Sequence, residues 1–237
     1  SFRNIGLSLL LLLGVVGIKA QIRTYESVPN DPMKTRIYTL DNGLKIYITV
    51  NKEKPRIQTY IAVRTGSRND PAETTGLAHY LEHIMFKGTD KFGTSNYAAE
   101  RPYLKQIENL YEEYRHITDP VKRKEWYHKI DSVSQIAAQY NIPNEYDKLM
   151  AAIGSQGTNA YTSNDVTCYV ENIPSNEIDS WAKVQGDRFQ NMVIRGFHTE
   201  LEAVYEEYNM GLTSDGRKLF TALMAKLFPN HPYGTQT

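Results

Sequence analysis

GLAHYLEHIMFKGT, residues 76–89, is an apolar run that carries His79, Glu82 and His83 within five positions. Leu77, Tyr80, Leu81, Ile84 and Met85 recur at steps of three and four, the period of a helix with one buried face. Thr74 or Thr75 can cap its start and Gly88 is a natural stop. A buried helix over 76–87 with one polar stripe is therefore expected. Positions i and i+4 lie one turn apart on the same face, so His79 and His83 point the same way and can share one ion. Two neutral imidazoles with a carboxylate make a zinc set that leaves a fourth place for water. Glu82 sits beside His83 and can reach that water without being a ligand. The order is H-x-x-E-H, in which a carboxylate takes the proton of a water whose pKa the metal lowers.

A third ligand has to come from elsewhere. ELEAVYEE, residues 200–207, supplies Glu200, Glu202, Glu206 and Glu207. Glu200 and Glu207 are seven apart and share one helix face, with Leu201, Val204, Tyr205 and Tyr208 expected to turn toward the core beside them. Four carboxylates in eight residues repel one another and favour a cation nearby. Glu202 and Glu206 read as solvated. Spacing alone does not choose between Glu200 and Glu207.

The surroundings of these two stretches suggest a mixed architecture. RIYTL (36–40), DNG (41–43) and LKIYITV (44–50) read as strand, tight turn and strand, with Asn42-Gly43 expected to take positive φ at both residues. RIQTYIAVRTG (56–66) is a third strand, and an antiparallel meander is the simplest topology. Leu104, Ile107, Tyr111, Tyr114 and Ile117 step helically, as do Trp126, Ile130, Val133, Ala137 and Tyr140. Between them, Asp119 is a cap and Pro120 a first helical residue. Residues 97–140 therefore form a helical hairpin with a narrow apolar seam, and 142–157 a further helix closed by glycines. TNAYTSNDVTCYVENI (158–173) alternates at period two, as a strand pair or one bent strand does. A helix over 175–192 opens with a capping box at Ser175 or Asn176. Helices over 199–215 and 216–228 follow, the last closed by Pro229. The fold class is α+β, a mostly antiparallel sheet packed by helices with an inserted helical hairpin.

Composition narrows the function. Lys plus Arg and Asp plus Glu both number 27, so no net charge favours nucleic acid or an anionic membrane surface. The single cysteine, Cys168, excludes an internal disulfide and a Cys-rich zinc module. At the N-terminus, Ile5–Ile18 is an apolar stretch after one positive charge, with Ala20 at a plausible cleavage point. It is short for a membrane span, which takes about 20 apolar residues. Residues 1–20 read as a signal peptide and 21–35 as a polar lead-in, so an exported protein, periplasmic or extracellular, with no stable membrane anchor is expected. The chain starts with Ser and stops at HPYGTQT, which reads as a segment cut at both ends.

GLAHYLEHIMFKGT, GTNAYTSNDVTCYV and ELEAVYEEYN together resemble the M16 metallopeptidases, the family of pitrilysin, insulin-degrading enzyme and mitochondrial processing peptidase. The resemblance runs in the same order from about residue 36 to the chain end, over an N-terminal zinc peptidase domain. It implies Zn2+ held by His79, His83 and Glu207, the last as the second glutamate of an E-x6-E pattern. It implies Glu82 as the base and Glu200 as a carboxylate that orients the ligands from behind. Asn159, Ala160 and their neighbours resemble the edge strand to which a substrate peptide adds through main-chain hydrogen bonds. The implied function is zinc-dependent endopeptidase activity on peptides or small unfolded proteins. The implied partner is a second M16-like half, in the same chain or a separate subunit, that closes around the peptide. The alternative is a non-catalytic family subunit that binds peptides or scaffolds a partner. One departure stands out: His83 and Glu207 are 124 positions apart, longer than the family's usual gap by about the size of the 97–150 segment, which therefore reads as an insertion.

Overall fold

The computed structural model describes residues 24–236. The signal-peptide expectation for residues 1–20 lies outside the described residues. The chain divides into two compact units, Ser1–Lys54 and Pro55–Thr237.

In the first unit, β1 (Arg36–Thr39) and β2 (Lys45–Ile48) form an antiparallel pair, with Arg36 opposite Ile48 and Thr39 opposite Lys45. The turn falls where expected but is built differently. Leu40 pairs with Leu44 through its N–H at 2.8 Å, which leaves a three-residue loop. Only Gly43 takes a positive φ, +86°. Asn42 instead uses its side chain, accepting from the Leu44 N–H at 3.1 Å. A three-residue hairpin loop needs the left-handed conformation at its last position alone, and glycine supplies it.

The second unit is built on a three-stranded antiparallel sheet of β3 (Arg56–Val63), β4 (Gln156–Thr162) and β5 (Thr167–Pro174), in the order β3-β5-β4. The third strand thus does not extend a meander. It finds an eight-residue ladder along β5, from Arg56 opposite Pro174 to Val63 opposite Thr167. The reason is burial. All four residues of β2 are exposed, whereas β5 buries Thr167, Cys168, Tyr169, Glu171 and Ile173 as the central strand. β4 lies at the sheet edge, with a register shift between Gln156 and Asn159.

Helix α1 (Leu77–Ile84) packs against this sheet and buries Ala78, Tyr80, Glu82 and Ile84. Two sequence expectations fail here. Neither Thr74 nor Thr75 caps the helix; the buried Asp70 does, accepting from the N–H groups of Gly76 at 2.7 Å and Ala78 at 2.9 Å. A carboxylate there also suits the positive end of the helix dipole. Leu77 and Leu81, read as core, are 50% and 45% exposed, while Glu82 is only 7% exposed. The polar stripe is therefore partly the buried side.

The hairpin consists of α2 (Tyr97–Tyr114) and α3 (Pro120–Ala138). Ile107, Leu110, Ile130, Val133 and Ala137 form its seam. Asp119 caps α3 as expected, accepting from the Lys122 N–H at 2.8 Å, with Pro120 at the first helical position. The two ends of the hairpin meet. The Ser95 N–H donates to the Tyr140 carbonyl at 2.8 Å and the Ile142 N–H to the Gly93 carbonyl at 3.1 Å. The chain thus leaves and returns at one point, which spares the elements on either side.

α4 (Glu145–Ala152), α5 (Ile178–Gln190), α6 (Phe197–Thr213), α7 (Asp215–Leu227) and a short α8 (Pro232–Thr235) complete the unit. The expected capping box at Ser175 or Asn176 does not form. Ser175–Glu177 is a 3-10 turn, and the Asn176 amide bonds to the Glu177 carboxylate at 3.0 Å. On α6, Leu201, Tyr205 and Tyr208 are exposed rather than core-facing, and Val204 is half-buried.

A buried ion pair ties the hairpin to the segment that leads into Phe197–Thr213, and the same arginine reaches the segment after α1. Arg195 donates from Nε to Glu100 at 2.6 Å and from Nη2 at 2.8 Å, with both residues at 2% exposure or less. Its remaining N–H groups reach the carbonyls of Lys87 at 2.9 Å and Thr89 at 3.0 Å. Glu100→Ala should therefore strand a buried guanidinium and cost about 3–5 kcal/mol of stability, measurable as a lowered denaturation midpoint at unchanged slope.

Candidate metal centre

Three elements converge at the site: α1, α6 and the edge strand β4. Tyr80, next to His79 in sequence, fixes the first two together. Its hydroxyl donates to the Phe197 carbonyl at 2.9 Å, and its ring meets that of Phe197 edge-on at 5.3 Å. The hairpin reaches the same corner, where the Tyr111 hydroxyl and His198 Nδ1 lie 2.7 Å apart.

With the helices so placed, His79, His83 and Glu207 come together. The two imidazole Nε2 atoms are 3.1 Å apart. Glu207 Oε2 lies 3.6 Å from Nε2 of His79 and 3.7 Å from Nε2 of His83. Three atoms in such a triangle can all sit about 2.0–2.1 Å from one point, the ordinary zinc distance for nitrogen and oxygen ligands. Two imidazoles and a carboxylate are also the chemistry zinc takes. Among the described residues these three form a group able to hold a metal ion.

Glu200 occupies a different place. Its Oε1 is 3.0 Å from His83 Nδ1, on the far side of the ring from Glu207. A carboxylate accepting from Nδ1–H fixes the tautomer that leaves the Nε2 lone pair toward the metal position. Glu200 is in turn ion-paired to Lys87. This hydrogen bond is the main reason the His83 pKa is raised above the usual imidazole value and the Glu200 pKa lowered below the usual carboxylate value. In the metal-free protein, the His83 contribution to stability is thus fully present below the ordinary imidazole pKa and is lost as pH rises through the raised one. The Glu200 contribution is present above the ordinary carboxylate pKa and is lost as pH falls. Zinc needs His83 neutral and must displace its extra proton. Zinc affinity, measured by chelator competition, should rise from about pH 6 to about pH 8. A flat profile would contradict the ligand set.

Glu82 lies beside the cluster on the buried side of α1, and its Oε2 accepts from the Thr162 hydroxyl at 2.5 Å. His79, Glu82, His83, Glu200 and Glu207 all line one open cleft of about 470 Å³, and the β4 residues Asn159 and Ala160 line it with them. Every candidate residue from the sequence is therefore brought to one place. Lys87 and Thr162 were not singled out from the sequence. Lys87 follows His83 by four positions, just past the end of α1, a spacing that could have suggested it. Asp147 of α4 also faces the cleft, with no sequence signal to mark it.

Comparison with known proteins finds likenesses over part of the sequence and over the fold. Residues 46–108, which contain α1, match Insulinase (Peptidase family M16). An insulin-degrading enzyme homolog of Dictyostelium discoideum is 39% identical over 64 residues, 27% of this chain and 7% of that protein. An uncharacterized zinc protease of Bacillus subtilis is 23% identical over 199 residues, 83% of this chain and 36% of that one. Pitrilysin shares the fold over 92% of this chain and 18% of its own, with a TM-score of 0.57 and 18% identity. A protease from Helicobacter pylori does so over 90% and 38%, with a TM-score of 0.59 and 21% identity. These findings together support the M16 peptidase family for this chain. The chain spans well under half the length of the relatives it matches.

Proposed function

We propose that this chain carries the zinc-binding, peptide-hydrolysing part of an M16-type endopeptidase. The observation that carries the reading is the convergence of His79, His83 and Glu207 beside Glu82, at an open sheet edge. Zinc, when bound there, polarises the scissile carbonyl and makes water a stronger acid. His79, His83 and Glu207 hold it, and Glu200 with Lys87 keeps His83 turned the right way. Glu82 accepts a proton from the attacking water and delivers it to the departing amine of one fragment, while water's oxygen and its other hydrogen end on the new carboxyl group of the other. The edge of β4 left free by β5 offers main-chain N–H and C=O groups to an extended peptide, with Asn159 and Ala160 lining the cleft beside it. Recognition through backbone suits substrates of unrelated sequence.

The family relationship supports a second M16-like half that encloses the peptide, and the Ile5–Ile18 stretch supports export. The direct test is hydrolysis of an internally quenched fluorogenic peptide before and after removal and return of zinc. Zinc-restored cleavage inside the peptide is the expected result. Activity indifferent to chelation would overturn the proposal.

A further inference from the structure

We infer that Thr162 is a positioning residue for Glu82, and that it acts from the same strand that takes the peptide; this rests on the peptidase reading above. Glu82 is 7% exposed, and a carboxylate so buried is costly unless a donor meets it. Among the described residues, the hydrogen bond its carboxylate receives is the one from Thr162 Oγ1 to Oε2, at 2.5 Å. A donor held on one oxygen fixes the rotation of the carboxylate and leaves Oε1 for water.

Thr162 is held by its place in the ladder, since its one hydroxyl hydrogen goes to Glu82. Thr162 stands opposite Thr167 in the β4–β5 ladder, and the two Oγ1 atoms are 3.4 Å apart. Thr167, 5% exposed, donates to the Thr65 carbonyl at 2.9 Å. Two strands and the segment just after β3 thus meet at the point from which the base is gripped. Thr162 also lies two residues beyond Ala160. The period of a strand puts both on one face, and Ala160 lines the cleft. A peptide adding to β4 therefore docks on the element that aims Glu82. Any shift of β4 that misplaces the peptide also misplaces the base.

A hydroxyl that only satisfied a buried carboxylate would affect folding and leave turnover alone. The two roles separate in steady-state kinetics of the full-length, zinc-loaded protein on the fluorogenic peptide. Thr162→Val keeps the shape and loses the donor. It should lower kcat by about 10- to 100-fold, as misplaced catalytic groups do. KM should stay within about twofold and zinc content should not change. Thr162→Ser keeps the donor and should recover most of kcat. If the Val variant does not fold, Thr162→Ala removes the same hydroxyl without adding an apolar branch and should show the same loss. Wild-type kcat in a folded Val or Ala variant would overturn the inference alone. Absence of zinc-dependent cleavage in the wild type would overturn the peptidase reading and this inference with it.

Discussion

Glu82→Gln should leave zinc bound and stop peptide cleavage. Glutamine has nearly the same shape and still accepts from the Thr162 hydroxyl, so the 2.5 Å contact at this position can persist. Glutamine cannot take a proton from water at neutral pH. A positioned general base contributes about 10²- to 10⁴-fold to rate, and the variant should lose at least that much of kcat. His79, His83 and Glu207 are untouched, so zinc content measured on the same sample should match the wild type. The paired measurement separates proton transfer from metal loss. Zinc lost together with activity would mean that Glu82 belongs to the ligand set.

Glu207→Gln should fail in the opposite way. Glu207 Oε2 stands within 3.7 Å of both imidazole Nε2 atoms, the corner of the triangle that the histidines leave open. Replacing the carboxylate removes its negative charge and its best ligand atom, so zinc affinity should fall by well over 100-fold. Glu200→Gln removes only the partner behind His83. Groups that orient a ligand in this way are typically worth about 10- to 100-fold in metal affinity or activity, so the loss should be clearly smaller. Chelator competition on the two variants ranks them directly. The reverse order, with Glu200→Gln the more damaging, would assign the third ligand to Glu200.

That distinction could not be read from the sequence. Glu200 and Glu207 share one face of α6, and helical spacing treats them alike. Which one meets the imidazole Nε2 atoms depends on how far α6 slides along α1. Tyr80 and Phe197 fix that, by a contact 117 positions apart in the chain. The pair His79 and His83 was legible because its geometry is local to one helix. The cap of α1 was hidden for the opposite reason: Asp70 reaches the helix across a loop rather than from the residue before it. Thr162 shows the same limit. Strand period places it on the face of Ala160 but is silent about what that face meets. The two strands of 158–173 and the hairpin were legible because each pairs with a neighbour in sequence. β3 was legible as a strand, but its pairing was misread because its partner lies more than 100 residues away. The exposure of Leu201, Tyr205 and Tyr208 was also beyond reach, since helical periodicity marks an apolar face without showing what packs against it.

The central claim is that His79, His83 and Glu207 form one zinc site. Elemental analysis of the folded protein after zinc loading and removal of excess metal tests it most directly. The account predicts close to one zinc per chain, released by chelator and absent when His79 and His83 are both replaced by alanine. A folded sample that holds no stoichiometric metal, or that keeps its zinc without the two histidines, would contradict it.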